Sequence, residues 1–133
     1  MKAFTKSLLV ALPLIIAAPA YSESLEAIQI FRCEFNDEKT EEDDVLKLAA
    51  AWLKAAKQTA GGENMSLVVR FPIADGEGSE SDFTWLISTP TFEEWGKFTD
   101  AYDGSPVSKV DDQLFDNLAD CGDSSMWEGI LME

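Results

Sequence analysis

Apolar and polar residues alternate along Ile28–Phe35, IQIFRCEF, with the two-residue period of a strand. Phe31, Cys33 and Phe35 fall on one face, and Ile28, Ile30, Arg32 and Glu34 on the other. A turn-rich acidic stretch follows, in which Thr40-Glu41-Glu42-Asp43 has the form of a capping box with Asp in place of Glu. The spacing then becomes helical. Val45, Leu48, Ala49, Trp52 and Ala56 make one stripe, with Lys47, Lys54 and Lys57 off it, and predict a helix over 42–59 stopped by Gly61-Gly62. Alternation returns over 65–73, MSLVVRFPI, where Pro72 predicts an edge strand or a strand end. The segment 75–81, DGEGSES, reads as a hairpin connection, and 82–88 as a third strand with Phe83, Trp85 and Ile87 on one face. Thr91-Phe92-Glu93-Glu94 is a second capping box, opening a helix with Trp95 and Phe98 inward. That helix breaks at Asp103-Gly104 and restarts at Ser105-Pro106, an N-cap followed by proline. Val110, Leu114, Phe115 and Leu118 carry its stripe on to Cys121, Gly122 ends it, and 125–132, SMWEGILM, is the last strand.

The order β-α-β-β-α-β defines an α+β class. Two split β-α-β halves with right-handed crossovers give a four-stranded antiparallel sheet in the order 4-1-3-2, with two helices on one face. This is the ferredoxin-like arrangement. In it, strand one ends at the sheet edge where the second helix ends and strand four begins. Cys33 and Cys121 therefore meet only if topology and facing are both right. The opposite sheet face carries Ile28, Ile30, Val68 and Leu86, joined by Ile130 and Met132 if Trp127 points inward. Soluble monomers seldom expose such a patch, so it predicts a two-fold homodimer.

The N-terminal residues change the picture. Lys2 and Lys6, the apolar run Leu8 to Ala18 and the small-x-small site Ala18-Pro19-Ala20 read as a signal peptide over 1–20, leaving a single domain over 21–133. The competing reading is a retained membrane anchor, for which the apolar run is short. The expected location is exported, periplasmic or secreted, with no membrane association after cleavage. Removing two of the ten basic residues leaves eight against 25 acids, a net charge of −17. Such a surface repels nucleic acid and anionic membranes; plain solvation is its bland explanation, a basic or cationic partner its sharper one. In an exported chain, two cysteines predict a Cys33–Cys121 disulfide, against the alternative of two free buried thiols.

Candidate chemistry is sparse. The chain has no histidine, which excludes Ser-His-Asp and Cys-His arrangements and any histidine-held metal. No glycine-rich phosphate loop follows a strand. Asp75, Glu77 and Ser79 offer oxygens to calcium, but their spacing departs from the EF-hand loop, so a solvated hairpin is expected and no metal is assigned. Carboxylates are so frequent that chance neighbours are expected, and no catalytic residue or cofactor is assigned. Trp52, Trp85, Trp95 and Trp127 fit either a pocket lining or plain core, the first three at inward positions. Arg32 and Arg70 fall on the open sheet face with strand three between them, a candidate anion site. The alternative expected here is structural ion pairing, Arg32 with Glu34 or Glu128.

A ferredoxin-like unit of this length, with an open apolar sheet face and a long broken second helix, resembles the dimeric α+β barrel superfamily. Antibiotic-biosynthesis monooxygenase-like proteins are its best-known members. The resemblance covers 27–132 and rests on element order and length; members that bind haem through histidine are not matched. Two readings follow: a non-catalytic homodimer binding a small apolar ligand or a protein partner, and, as the resemblance implies, a cofactor-independent enzyme of the monooxygenase-like kind working in a cleft between sheet and helices.

Overall fold

The computed structural model describes residues 25–74 and 81–130. The expected leader, the candidate calcium oxygens of Asp75, Glu77 and Ser79, and Met132 lie outside the described residues.

Four strands, β1 (Leu25–Phe35), β2 (Ser66–Arg70), β3 (Phe83–Thr89) and β4 (Ala119–Ile130), form one sheet in the order β2-β3-β1-β4, every neighbouring pair antiparallel. This is the expected order, 4-1-3-2, read from the other edge. One sheet face packs against α1 (Glu42–Ala56), α2 (Phe92–Asp100), α3 (Pro106–Val110), a π-helical turn (Asp111–Phe115) and a last short turn, α4 (Asp116–Leu118). The fold is ferredoxin-like. The core lies between the layers: Cys33, Phe83, Trp85 and Ile87 from the sheet meet Val45, Leu48, Trp52, Phe98 and Val107 from the helices.

Helix starts follow local chemistry. Thr91 caps α2, its hydroxyl accepting from the Glu94 N–H at 3.1 Å. Ser105 caps α3 in the same way through the Ser108 N–H, with Pro106 at the first helical position. The capping box of α1 sits one residue later than expected: the Asp44 carboxylate accepts from the Glu41 N–H at 3.2 Å. That helix also ends three residues early, at Ala56, and the chain turns through 57–65 into β2. Gly61, at φ 83°, lies so tightly against α2 that a Cβ would collide with the Glu94 carbonyl and the Phe98 N–H. β2 is an edge strand shorter than expected, because Pro72 cannot continue the ladder.

The larger correction is at the end of the second helical region. The helix does not reach Cys121. It ends at Leu118, and β4 begins at Ala119, so Cys121 is a strand residue and Gly122 lies within the strand. The segment 119–125, ADCGDSS, has no apolar alternation that reads as a strand. Pairing along the full length of β1 recruits it, from Phe35 opposite Ala119 to Leu25 opposite Ile130. A register shift between Arg32 and Glu34 accommodates the extra residue. The disulfide still forms, between Cys33 on β1 and Cys121 on β4, and encloses most of the chain. A second correction concerns Leu114. It was expected in the buried stripe but is 49% exposed, because the wider π turn rotates the following side chains out of phase with α3.

Candidate functional site

Between the helix layer and the sheet lies a half-open cavity of about 300 Å³. Its walls are aromatic. Trp85 meets Phe115 edge-on at 4.9 Å and Trp52 edge-on at 5.6 Å, and Trp95 lies beside Phe98 at 6.0 Å. β3 sets Trp85, α1 sets Trp52, and α2 sets Trp95 and Phe98. These are the three tryptophans expected to point inward, and they serve as core and pocket wall together.

Two charged groups line this cavity, Asp111 and Asp116, and the first is held by hydrogen bonds from its walls. Asp111, the first residue of the π turn, accepts from Trp52 Nε1 at 2.7 Å through Oδ1 and from the Tyr102 hydroxyl at 2.5 Å through Oδ2. Burial pushes the Asp111 carboxyl above its ordinary range; the two hydrogen bonds partly offset this, and the charges of Asp116 and Asp112 add to it. Burial likewise drives the Tyr102 phenol well above its usual value, helped by its donation to Asp111. Neither residue stands out in the sequence. Asp111-Asp112 reads as a solvated acidic pair, yet the first of them, at the end of α3, lines the cavity. A tyrosine nine residues before an aspartate is no motif.

The opposite sheet face is ordered in rows across the four strands. One row runs Val68, Leu86, Ile30, Ser125; the next runs Ser66, Ser88, Ile28, Trp127. The four expected dimer-face residues thus share one surface. The condition set for Ile130 and Met132 is not met. Trp127 lies opposite Ile28, on the open face and 57% exposed, while Ile130 lies opposite Leu25, on the helix side of the sheet. Trp127 is the large residue missing from the sequence reading of this face. Its indole N–H donates to Ser125 Oγ at 2.8 Å, which holds the ring along the strand. Ile28 fills the space left beside Gly129, where a Cβ would approach its Cδ1 at 2.8 Å.

The third row is Arg70, Thr84, Arg32, Asp123. Both arginines are on the open face, as expected. Arg32 pairs with Asp123 at 2.8 Å, not with Glu34 or Glu128. Glu128 lies opposite Ala27 and belongs to the helix side, whereas Asp123 stands directly across from Arg32. The pair is exposed, and such pairs contribute about 1 kcal/mol at most.

No protein-family model matches this chain, and no curated protein sequence matches it. Similarity to solved structures is at the level of fold. A hydroxynitrile lyase from Passiflora edulis superposes with a TM-score of 0.53 at 8% identity, covering 84% of this chain and 96% of that one. A dimeric ferredoxin-like protein of unknown function from Thermobifida fusca gives 0.49 at 12% identity, over 84% and 96%. The class defined by this architecture is a ferredoxin-like α+β domain.

Proposed function

We propose that this chain is an exported, disulfide-stapled, homodimeric binding domain that takes a small, largely apolar ligand between its sheet and its helices. The observation that carries the reading is the cavity: concave, aromatic-walled, opening to solvent, and large enough for a one- or two-ring molecule. The apolar rows of the open sheet face support the dimer, and the Cys33–Cys121 bridge supports an oxidising compartment. The test uses 6-propionyl-2-dimethylaminonaphthalene, a neutral two-ring fluorophore. It should bind saturably, one per chain, and quench the tryptophans; Trp95→Ala should weaken it about tenfold. Absence of saturable binding would overturn the reading.

A second reading, a cofactor-independent enzyme, is favoured by one observation. A carboxylate poised toward protonation sits at the cavity wall, the placement of a general base. Oxygen consumption or product formation from a bound phenolic substrate, abolished in Asp111→Asn, would displace the binding reading.

A further inference from the structure

We propose that the ligand carries a positive charge: the cavity is built for an organic cation, an aromatic or alkyl ammonium, with Asp111 as its counter-ion and the indole rings as its walls. The inference rests on the cavity being the ligand site.

Three observations converge on it. Two charged side chains line the cavity, Asp111 and Asp116, both acidic; no lysine or arginine is among its described walls. The Asp111 carboxylate has two neutral donors, an indole and a phenol, and no ion-pair partner among the described residues. Two hydrogen bonds leave part of its accepting capacity open, and a half-buried carboxylate without a counter-charge gains by acquiring one. The surrounding rings add to this. Trp52, Trp85, Trp95 and Phe98 line the cavity, and aromatic rings attract ammonium groups in dry sites. An anionic ligand would meet Asp111 and Asp116 at close range and the field of the whole acidic chain at long range. A neutral ligand would fill the apolar walls but leave the carboxylate uncompensated.

One scaffold in three charge states tests this. 2-Phenylethylammonium, 2-phenylethanol and phenylacetate share ring and length, and their binding to the mature protein is measured by calorimetry at about pH 8, where the amine is protonated and the carboxylate ionised. The ammonium should bind about tenfold or more tighter than the alcohol, with phenylacetate weakest. In Asp111→Asn the ammonium should fall to the level of the alcohol, the alcohol itself changing little. Should that variant not fold, the order of the three probes on the natural protein still decides the matter, and Tyr102→Phe, which keeps the carboxylate, should preserve the preference. Equal binding of ammonium and alcohol, or tighter phenylacetate, would overturn the cation and leave the cavity as a ligand site. Binding of none of the three would overturn the ligand site and the cation together.

Discussion

Asp111 is held where water cannot fully solvate it, and its two neutral hydrogen-bond donors do not replace that solvation. Its folded-state pKa therefore lies above the unfolded value, so the folded chain binds a proton where the unfolded chain has released it. The contribution to stability is then greatest with the carboxyl protonated and is lost as pH rises through the raised pKa. Urea titrations at a series of pH values should show Asp111→Asn gaining on the natural chain across that window. A constant difference would mean that the folded and unfolded values coincide. Tyr102, half-buried and donating to the same carboxylate, should resist ionisation in an ultraviolet alkaline titration until the protein unfolds. The sequence shows neither residue as special, because the property belongs to neighbours distant along the chain. Trp52 is 59 positions from Asp111.

At the scale of elements, legibility tracked local determination. The caps at Thr91 and Ser105, the α1 stripe and the inward faces of β1 and β3 all follow from residues within a few positions of one another. The start of β4 and the face of the 111–115 turn did not, because both are imposed from outside. A long β1 recruits a polar segment as its partner, and a π turn shifts the helical phase. Two consequences are measurable. Leu114→Gln should change stability by less than about 0.5 kcal/mol, whereas Val107→Ala, about two turns earlier and fully buried, should cost about 2 kcal/mol in denaturant unfolding. In addition, Glu34 and Asp120 stand directly opposite one another where β4 begins, and like charges there repel. Asp120→Lys should raise stability by about 0.5 kcal/mol, an effect that fades at high salt.

For the whole molecule, the determining fact is that a small domain has two apolar surfaces and one helix layer. The open face presents Ile28, Ile30, Val68, Leu86 and Trp127 together, with the exposed Arg32–Asp123 pair at one end. Two copies packed face to face would remove these side chains from water. Sedimentation of the natural chain at micromolar concentration should give a dimer, and Ile30→Asp or Trp127→Asp a monomer or aggregate. A monomeric natural chain would mean that the face serves something else. Serine at Cys33 and Cys121 should cost about 4–5 kcal/mol at most, since the closed loop spans 88 residues, and the loss would appear as a lower melting temperature.

The bridge also governs how the molecule would yield under load. The described chain starts and stops side by side, Leu25 opposite Ile130, on neighbouring antiparallel strands. Pulling the two ends apart would open the β1–β4 ladder pair by pair, like a zipper, a low-force geometry. β4, at the sheet edge, would peel from β1 as far as the Cys33–Cys121 link and halt there, after releasing roughly 30 Å of chain. β1 would keep its pairing with β3, so Gln29 and Phe31 would stay in the cavity wall, and the helices and β2 lie inside the disulfide loop. Hauled by its ends, the domain would lengthen like a frayed cuff and keep its binding site intact.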